Sequence, residues 1–121
     1  MIRLTTREEE LMRLFWDKGA LFIKEILAQY DEPKPHFNTL STFVRGLEEK
    51  GFLAHEAFGN TYRYHAVVSE EEYGAGAMRG VVGKYFNNSY LHAVSSLVRN
   101  EKISIDELKA LIREVETENG R

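Results

Sequence analysis

Cysteine is absent from the 121 residues. That excludes disulfides, thiolate metal sites and cysteine nucleophiles. Proline is scarce, and both copies, Pro33 and Pro35, fall in one short stretch. Helix is forbidden there and permitted elsewhere. No apolar run approaches the ~20 residues that a membrane-spanning helix needs. The N-terminal stretch, Met1 to Arg7, has no apolar run behind its charges. Neither a signal peptide nor a transmembrane span is visible, so a cytoplasmic location is expected. A surplus of positive charge is missing too: 16 Lys and Arg face 19 Asp and Glu, a net charge of -3. Strongly basic nucleic-acid binders read differently. Repeats and low-complexity stretches are also absent.

What is present is an ordinary globular composition, 43% hydrophobic and 29% charged. The charge is uneven. Residues 34–65 carry Lys34, Arg45, Lys50 and Arg63 against Glu48, Glu49 and Glu56, a local +1, with His36, His55 and His65 besides. Phosphate contact depends on such local balance more than on the total.

Apolar periodicity predicts the elements. Thr6 with Glu9 reads as a capping box opening a helix whose stripe is Leu11, Leu14 and Phe15, widened by Met12 and Trp16 and ended by Gly19. Ala20-Leu21-Phe22 suits a one-rung strand. A second helix follows on Ile23, Ile26, Leu27 and Tyr30. Past the prolines, Phe37–Lys50 forms a third helix. Asn38 is its expected N-cap, Leu40, Phe43, Val44 and Leu47 are its stripe, and Gly51 ends it. The period then changes. Phe52–Phe58 and Thr61–Val67 flank Gly59-Asn60, a hairpin signal with a type II′ turn. Tyr62 and Tyr64 share one face of the second strand, Arg63 and His65 the other. Tyr62, Tyr64 and Phe58 are expected to pack rather than to stack on bases.

Three more helices follow. Ser69 to Glu72 opens one with Met78, Val81, Val82 and Tyr85 as its stripe. Gly74, Gly76, Gly80 and Gly83 lie inside it, each costing about 1 kcal/mol relative to Ala. Tyr90, Leu91, Val94, Leu97 and Val98 mark the next, and a Ser104/Glu107 capping box starts the last. The order matches a mainly α chain with a small β-hairpin: a winged helix-turn-helix domain plus a C-terminal helical dimerisation arm. The expected divisions are residues 1–68, 69–116 and a polar tail at 117–121.

A helix-turn-helix places its second helix in the major groove, with exposed N-terminal residues on base edges. Stepping about 100° per residue, the face opposite the third helix's stripe holds Asn38, Ser41, Thr42 and Arg45. Asn and Arg make bidentate contacts to adenine and guanine, and Ser or Thr reaches base or phosphate. The face is short-chain and neutral apart from Arg45, unlike the Lys/Glu pairs of a merely solvated helix. Glu48 and Glu49 would repel phosphates, so only the N-terminal half is expected to enter the groove. In the hairpin, Asn60, Thr61 and Arg63 are candidates for phosphate or minor-groove contact. The four histidines lack metal-ligand spacing. Gly74-Ala75-Gly76 follows no strand, so it is no dinucleotide fingerprint. No cofactor and no catalytic residue is expected.

Asn38 to Phe52 resembles the reading helix of the penicillinase-repressor (BlaI/MecI-like) family of winged-helix regulators. Leu11 to Trp16, Thr61 to Tyr64 and Ile103 to Leu108 fit the same family. The resemblance implies a homodimeric repressor of double-stranded DNA on a palindromic operator, often controlling β-lactam resistance genes. It carries over Thr39 and Thr42 as reading-helix residues. It also implies release by a membrane sensor-protease that cuts the dimerisation region. The family's Asn-Phe cleavage bond aligns here with Ser96-Leu97. Members often carry basic residues where this chain has Ser41 and Gly46, so the operator sequence need not match theirs. A copper-responsive branch uses C-terminal cysteines, which this chain lacks. The alternatives are a winged-helix protein-interaction module, which the net acidity suits, and a repressor released by a small-molecule effector.

Overall fold

Two overlapping Thr-x-x-Glu patterns stand at the start of the chain, and tertiary contact chooses between them. The computed structural model, which describes residues 3–120, caps α1 (Thr6–Lys18) with Thr5 rather than Thr6. The Glu8 N–H donates to Thr5 Oγ1 at 3.2 Å, and the Thr5 N–H donates to Glu8 Oε1 at 2.9 Å. Glu8 lies on the stripe of Leu11, Met12 and Phe15, so this register carries its carboxylate inward. There Lys50 Nζ meets Glu8 Oε2 at 2.5 Å. Glu9 stays in water. Met1, Ile2 and Arg121, which the sequence reading assigned to the winged domain and the tail, lie outside the described residues.

β1 (Leu21–Phe22) and α2 (Ile23–Leu27) follow, then α3 (Phe37–Glu49), β2 (Leu53–Phe58) and β3 (Thr61–Ala66). The three strands are antiparallel in the order β1-β3-β2. Leu21 pairs with Tyr64, and His55 opposes Tyr64 from the other side. α2 is shorter than its periodicity suggested. It stops at Leu27, and Lys34 Nζ donates to the Leu27 and Tyr30 carbonyls at and just past the helix end.

The core lies between the three helices and the sheet. α1 supplies Leu11, Met12 and Phe15; α2 supplies Ile26; α3 supplies Leu40, Val44 and Leu47; the sheet side adds Phe52, Leu53 and Tyr64. Each such burial contributes about 1.5–3 kcal/mol before chain entropy is counted. The chain after the hairpin is tied back onto α1. Trp16 Nε1 donates to the Val68 carbonyl at 2.9 Å, and the Leu4 N–H donates to the Tyr73 hydroxyl at 2.9 Å. The Tyr73 ring stands edge-on to Phe52 at 5.8 Å. This is a winged helix-turn-helix with C-terminal helices, as the sequence predicts.

Those helices are α4 (Glu70–Tyr85), α5 (Tyr90–Arg99) and α6 (Ile105–Glu118). The described residues fall into two compact units divided between Ala77 and Met78. In the C-terminal unit, Phe86 and Asn88 both donate backbone N–H groups to the Val82 carbonyl, and Ser89 caps α5. In α4, a Cβ at Gly83 would stand 3.0 Å from Asn88 Oδ1, whereas Gly74 and Gly80 face open space. The Ser104/Glu107 box forms as predicted. The Ser104 backbone N–H, then its hydroxyl, hold the Glu107 carboxyl below the ordinary carboxylate range. α6 reaches Glu118, so Thr117, expected in the tail, is helical.

Candidate nucleic-acid interface

α3 buries Leu40, Val44 and Leu47 and turns Asn38, Thr39, Thr42 and Arg45 outward. Its start differs from the sequence expectation. His36 is the N-cap, and its ring Nδ1 accepts from the Asn38 N–H at 3.1 Å. Asn38 therefore sits in the first turn, and its side-chain amide has no hydrogen-bond partner among the described residues. A capping Asn would have spent that side chain on its own backbone.

α3 closes with Gly51 at φ +86, the Gly51 N–H bonding Glu48 O and the Phe52 N–H bonding Leu47 O. This is a Schellman motif, and it turns the chain into β2. The hairpin reverses at Gly59 (φ +61), with Asn60 outside the left-handed region, as a type II′ turn requires.

α3, the start of α2 and the hairpin tip enclose an open cleft of about 740 Å³. Asn38, Ser41 and Arg45 form its helix wall, and Asn60 and Thr61 reach it from the turn. Phe22, Phe37 and Tyr62 add apolar surface, and Lys24 adds a cation. Five of the eight expected interface residues are thus gathered in one place.

The other three are placed differently. Thr42 is exposed but does not line the cleft, and its hydroxyl donates to the Asn38 carbonyl at 2.9 Å. Thr39 lines a second groove of about 340 Å³ with Pro33, Pro35 and Phe43. Arg63 does not line the cleft; its guanidinium lies 4.7 Å from the Phe58 ring centre and 3.9 Å from Glu56 Oε1. The aromatics also divide. Tyr64 is buried, while Tyr62 and Phe58 are about half exposed.

Two features were not legible in the sequence. Lys24 lies outside the locally positive stretch, residues 34–65. Glu48 is held off the cleft by His55, whose Nδ1 lies 2.5 Å from Glu48 Oε2 while its ring stacks on Tyr62 at 4.2 Å. This clips α3 to β2. Burial, then the nearby Glu48 charge, push the Tyr64 hydroxyl above its ordinary pKa. Among the described residues, no three His, Asp or Glu side chains cluster as metal ligands, and no helix is long and apolar enough to cross a membrane.

Residues 4–117 match the penicillinase repressor family. The chain belongs to that family. The match covers α1 to nearly the end of α6, so the site and the C-terminal helices lie within it. The chain is also 26% identical over 113 residues to the methicillin resistance regulatory protein MecI of Staphylococcus aureus, and equally to that of Mammaliicoccus sciuri. Each alignment spans 89% of both chains. An uncharacterized 16.5 kDa protein of Latilactobacillus sakei is 34% identical over 71 residues, covering 57% of this chain and 48% of its own length. The family resemblance read from the reading helix is therefore borne out.

Ser96 and Leu97, the expected cleavage position, lie inside α5. Ser96 Oγ accepts from Asn100 Nδ2 at 3.4 Å, and the Leu97 carbonyl accepts from the Lys102 N–H at 3.0 Å.

Proposed function

We propose that the chain is a transcriptional repressor that binds a palindromic DNA operator as a homodimer, with the N-terminal half of α3 in the major groove. The observation that carries this is the outer face of α3. Asn38, Ser41 and Arg45 line one cleft beside the hairpin, their side chains making no hydrogen bond or ion pair among the described residues. Family membership supplies the rest of the support. Asn38, Ser41, Thr42 and Arg45 face the bases, Asn60 and Thr61 lie along the wing, and Glu48 and Glu49 stay outside.

Pairing is supported by the C-terminal unit. In the single chain Leu91, Leu97, Leu111, Ile112 and Val115 are exposed at 44% or more, save Val115 at 43%. Apolar surface of that extent marks an interface. The regulated genes are resistance genes, as the name of the staphylococcal relatives suggests. Release follows from a cut at Ser96–Leu97 by a membrane sensor-protease. Because proteases take extended substrate, α5 has to open first.

Gel shifts with the DNA upstream of the chain's own gene test this reading. Retardation is expected, with Arg45→Ala and Thr42→Ala weakening it while circular dichroism stays unchanged. Absence of retardation at low salt, where phosphate contacts are strongest, leaves the protein-interaction module standing.

A further inference from the structure

The four cations that make residues 34–65 locally positive are not equally available. Lys34 donates to the Leu27 and Tyr30 carbonyls. Lys50 is paired with Glu8. Arg63 lies over Phe58 beside Glu56. Arg45 alone of the four makes no hydrogen bond or ion pair among the described residues. Three of the four are thus already drawn to partners of their own, which limits their reach to a phosphate.

Lys24 reverses part of that loss. It is exposed on α2, makes no side-chain hydrogen bond or ion pair among the described residues, and lines the same cleft as Arg45. The neighbouring acid, Glu25, is turned to its own backbone, accepting from the Phe22 N–H at 2.8 Å. The cleft therefore holds two uncommitted cations and a carboxylate already engaged. Asn60, at the tip of the hairpin, adds a neutral donor.

We infer that Lys24 is a phosphate-contacting residue, meeting one strand of the DNA backbone on the α2 side of the cleft while the α3 wall faces the bases. This rests on the DNA-binding reading above. An ammonium on a flexible stem is a point charge suited to phosphate rather than to bidentate base readout. A cleft of about 740 Å³ is of the size that encloses a drug-sized ligand, ample for a phosphate and its flanking sugars. Lys24 contributes affinity without sequence preference.

The test is fluorescence anisotropy of the full chain with two labelled duplexes, one of random sequence and one from upstream of its own gene. Each is titrated between about 50 and 200 mM salt. Lys24→Ala is expected to weaken both duplexes alike and to lower the log–log salt slope by about 0.9 for each protomer bound. Lys24→Arg should restore the slope. Lys18→Ala removes an exposed cation that does not line the cleft, and it should leave the slope unchanged. An unchanged slope for Lys24→Ala overturns the inference while the DNA reading stands. So does an equal loss for Lys18→Ala, which would mean a diffuse field rather than a site. If the unaltered chain binds neither duplex, the DNA reading fails and this inference fails with it.

Discussion

The two units of this chain are built from similar helices and use them in opposite ways. The winged unit inserts its apolar stripes into one core, where Met12, Ile26, Val44 and Leu47 are wholly enclosed. In the C-terminal unit, Val82 is the one buried hydrophobic side chain among the described residues. Its Leu91 is 85% exposed. α3 in the first and α5 and α6 in the second are all strongly amphipathic, each with a side-chain cap at its N-terminus. An apolar stripe records that something covers a helix, not what covers it.

The largest expected effect separates the units directly. Leu47→Ala removes a fully enclosed side chain and should cost the winged unit about 2–5 kcal/mol. Leu91→Ala should change the stability of a single chain by no more than about 0.5 kcal/mol. Its effect should appear in self-association, as a weaker dimer by analytical ultracentrifugation. Urea titrations that give equal losses for the two variants would erase the distinction between the units.

The Glu8–Lys50 pair comes next. Burial acts to raise the Glu8 carboxyl, but the Lys50 contact and the Thr5 hydrogen bonds outweigh it and leave its pKa below the ordinary value. A lowered folded pKa contributes stability that is complete above the unfolded-state pKa. It is lost as pH falls through the folded one. Lys50 is about a third exposed, so the full cost of stranding a buried charge does not apply. Lys50→Ala should destabilise by about 1–2 kcal/mol at neutral pH, and the difference should shrink in acid. A loss that is the same at both pH values would assign the effect to the packing of the lysine stem.

The smallest effect compares two helix ends. α5 finishes in the same Schellman hydrogen bonds as α3, the Glu101 N–H to Val98 O and the Lys102 N–H to Leu97 O. Yet α3 places Gly51 at the left-handed position and α5 places Glu101 there, at φ +60. Glu101→Gly should stabilise by about 1 kcal/mol, and Gly51→Ala should destabilise by a similar amount. Thermal unfolding reads both. No gain from Glu101→Gly would mean that its backbone is held without strain.

What the sequence made legible was local. The α3 stripe, the Gly59-Asn60 turn and the Ser104/Glu107 box each depend on a few adjacent residues, and all three formed. What it left hidden was settled over distance. Thr5 and Thr6 both satisfy a capping box, and the choice follows Glu8 to Lys50, 42 residues away. Arg63 was correctly assigned to the strand face opposite Tyr62. Phe22 and Thr61 share that face and line the cleft, so it is the contact with Phe58 and Glu56, not the face, that keeps Arg63 out of it. The worth of Lys24 is invisible in the sequence because it depends on which other cations are already engaged.

Thr42 carries a last consequence. Its hydroxyl proton is spent on the Asn38 carbonyl one turn back. Only oxygen lone pairs and a methyl group remain to face outward. Set against the four letters of a major groove, such a side chain suits the amino groups of adenine and cytosine and the methyl of thymine. Guanine, which offers only acceptors on that edge, finds no donor unless the helix bond is given up. The backbone of α3 thus writes a bias into its own alphabet.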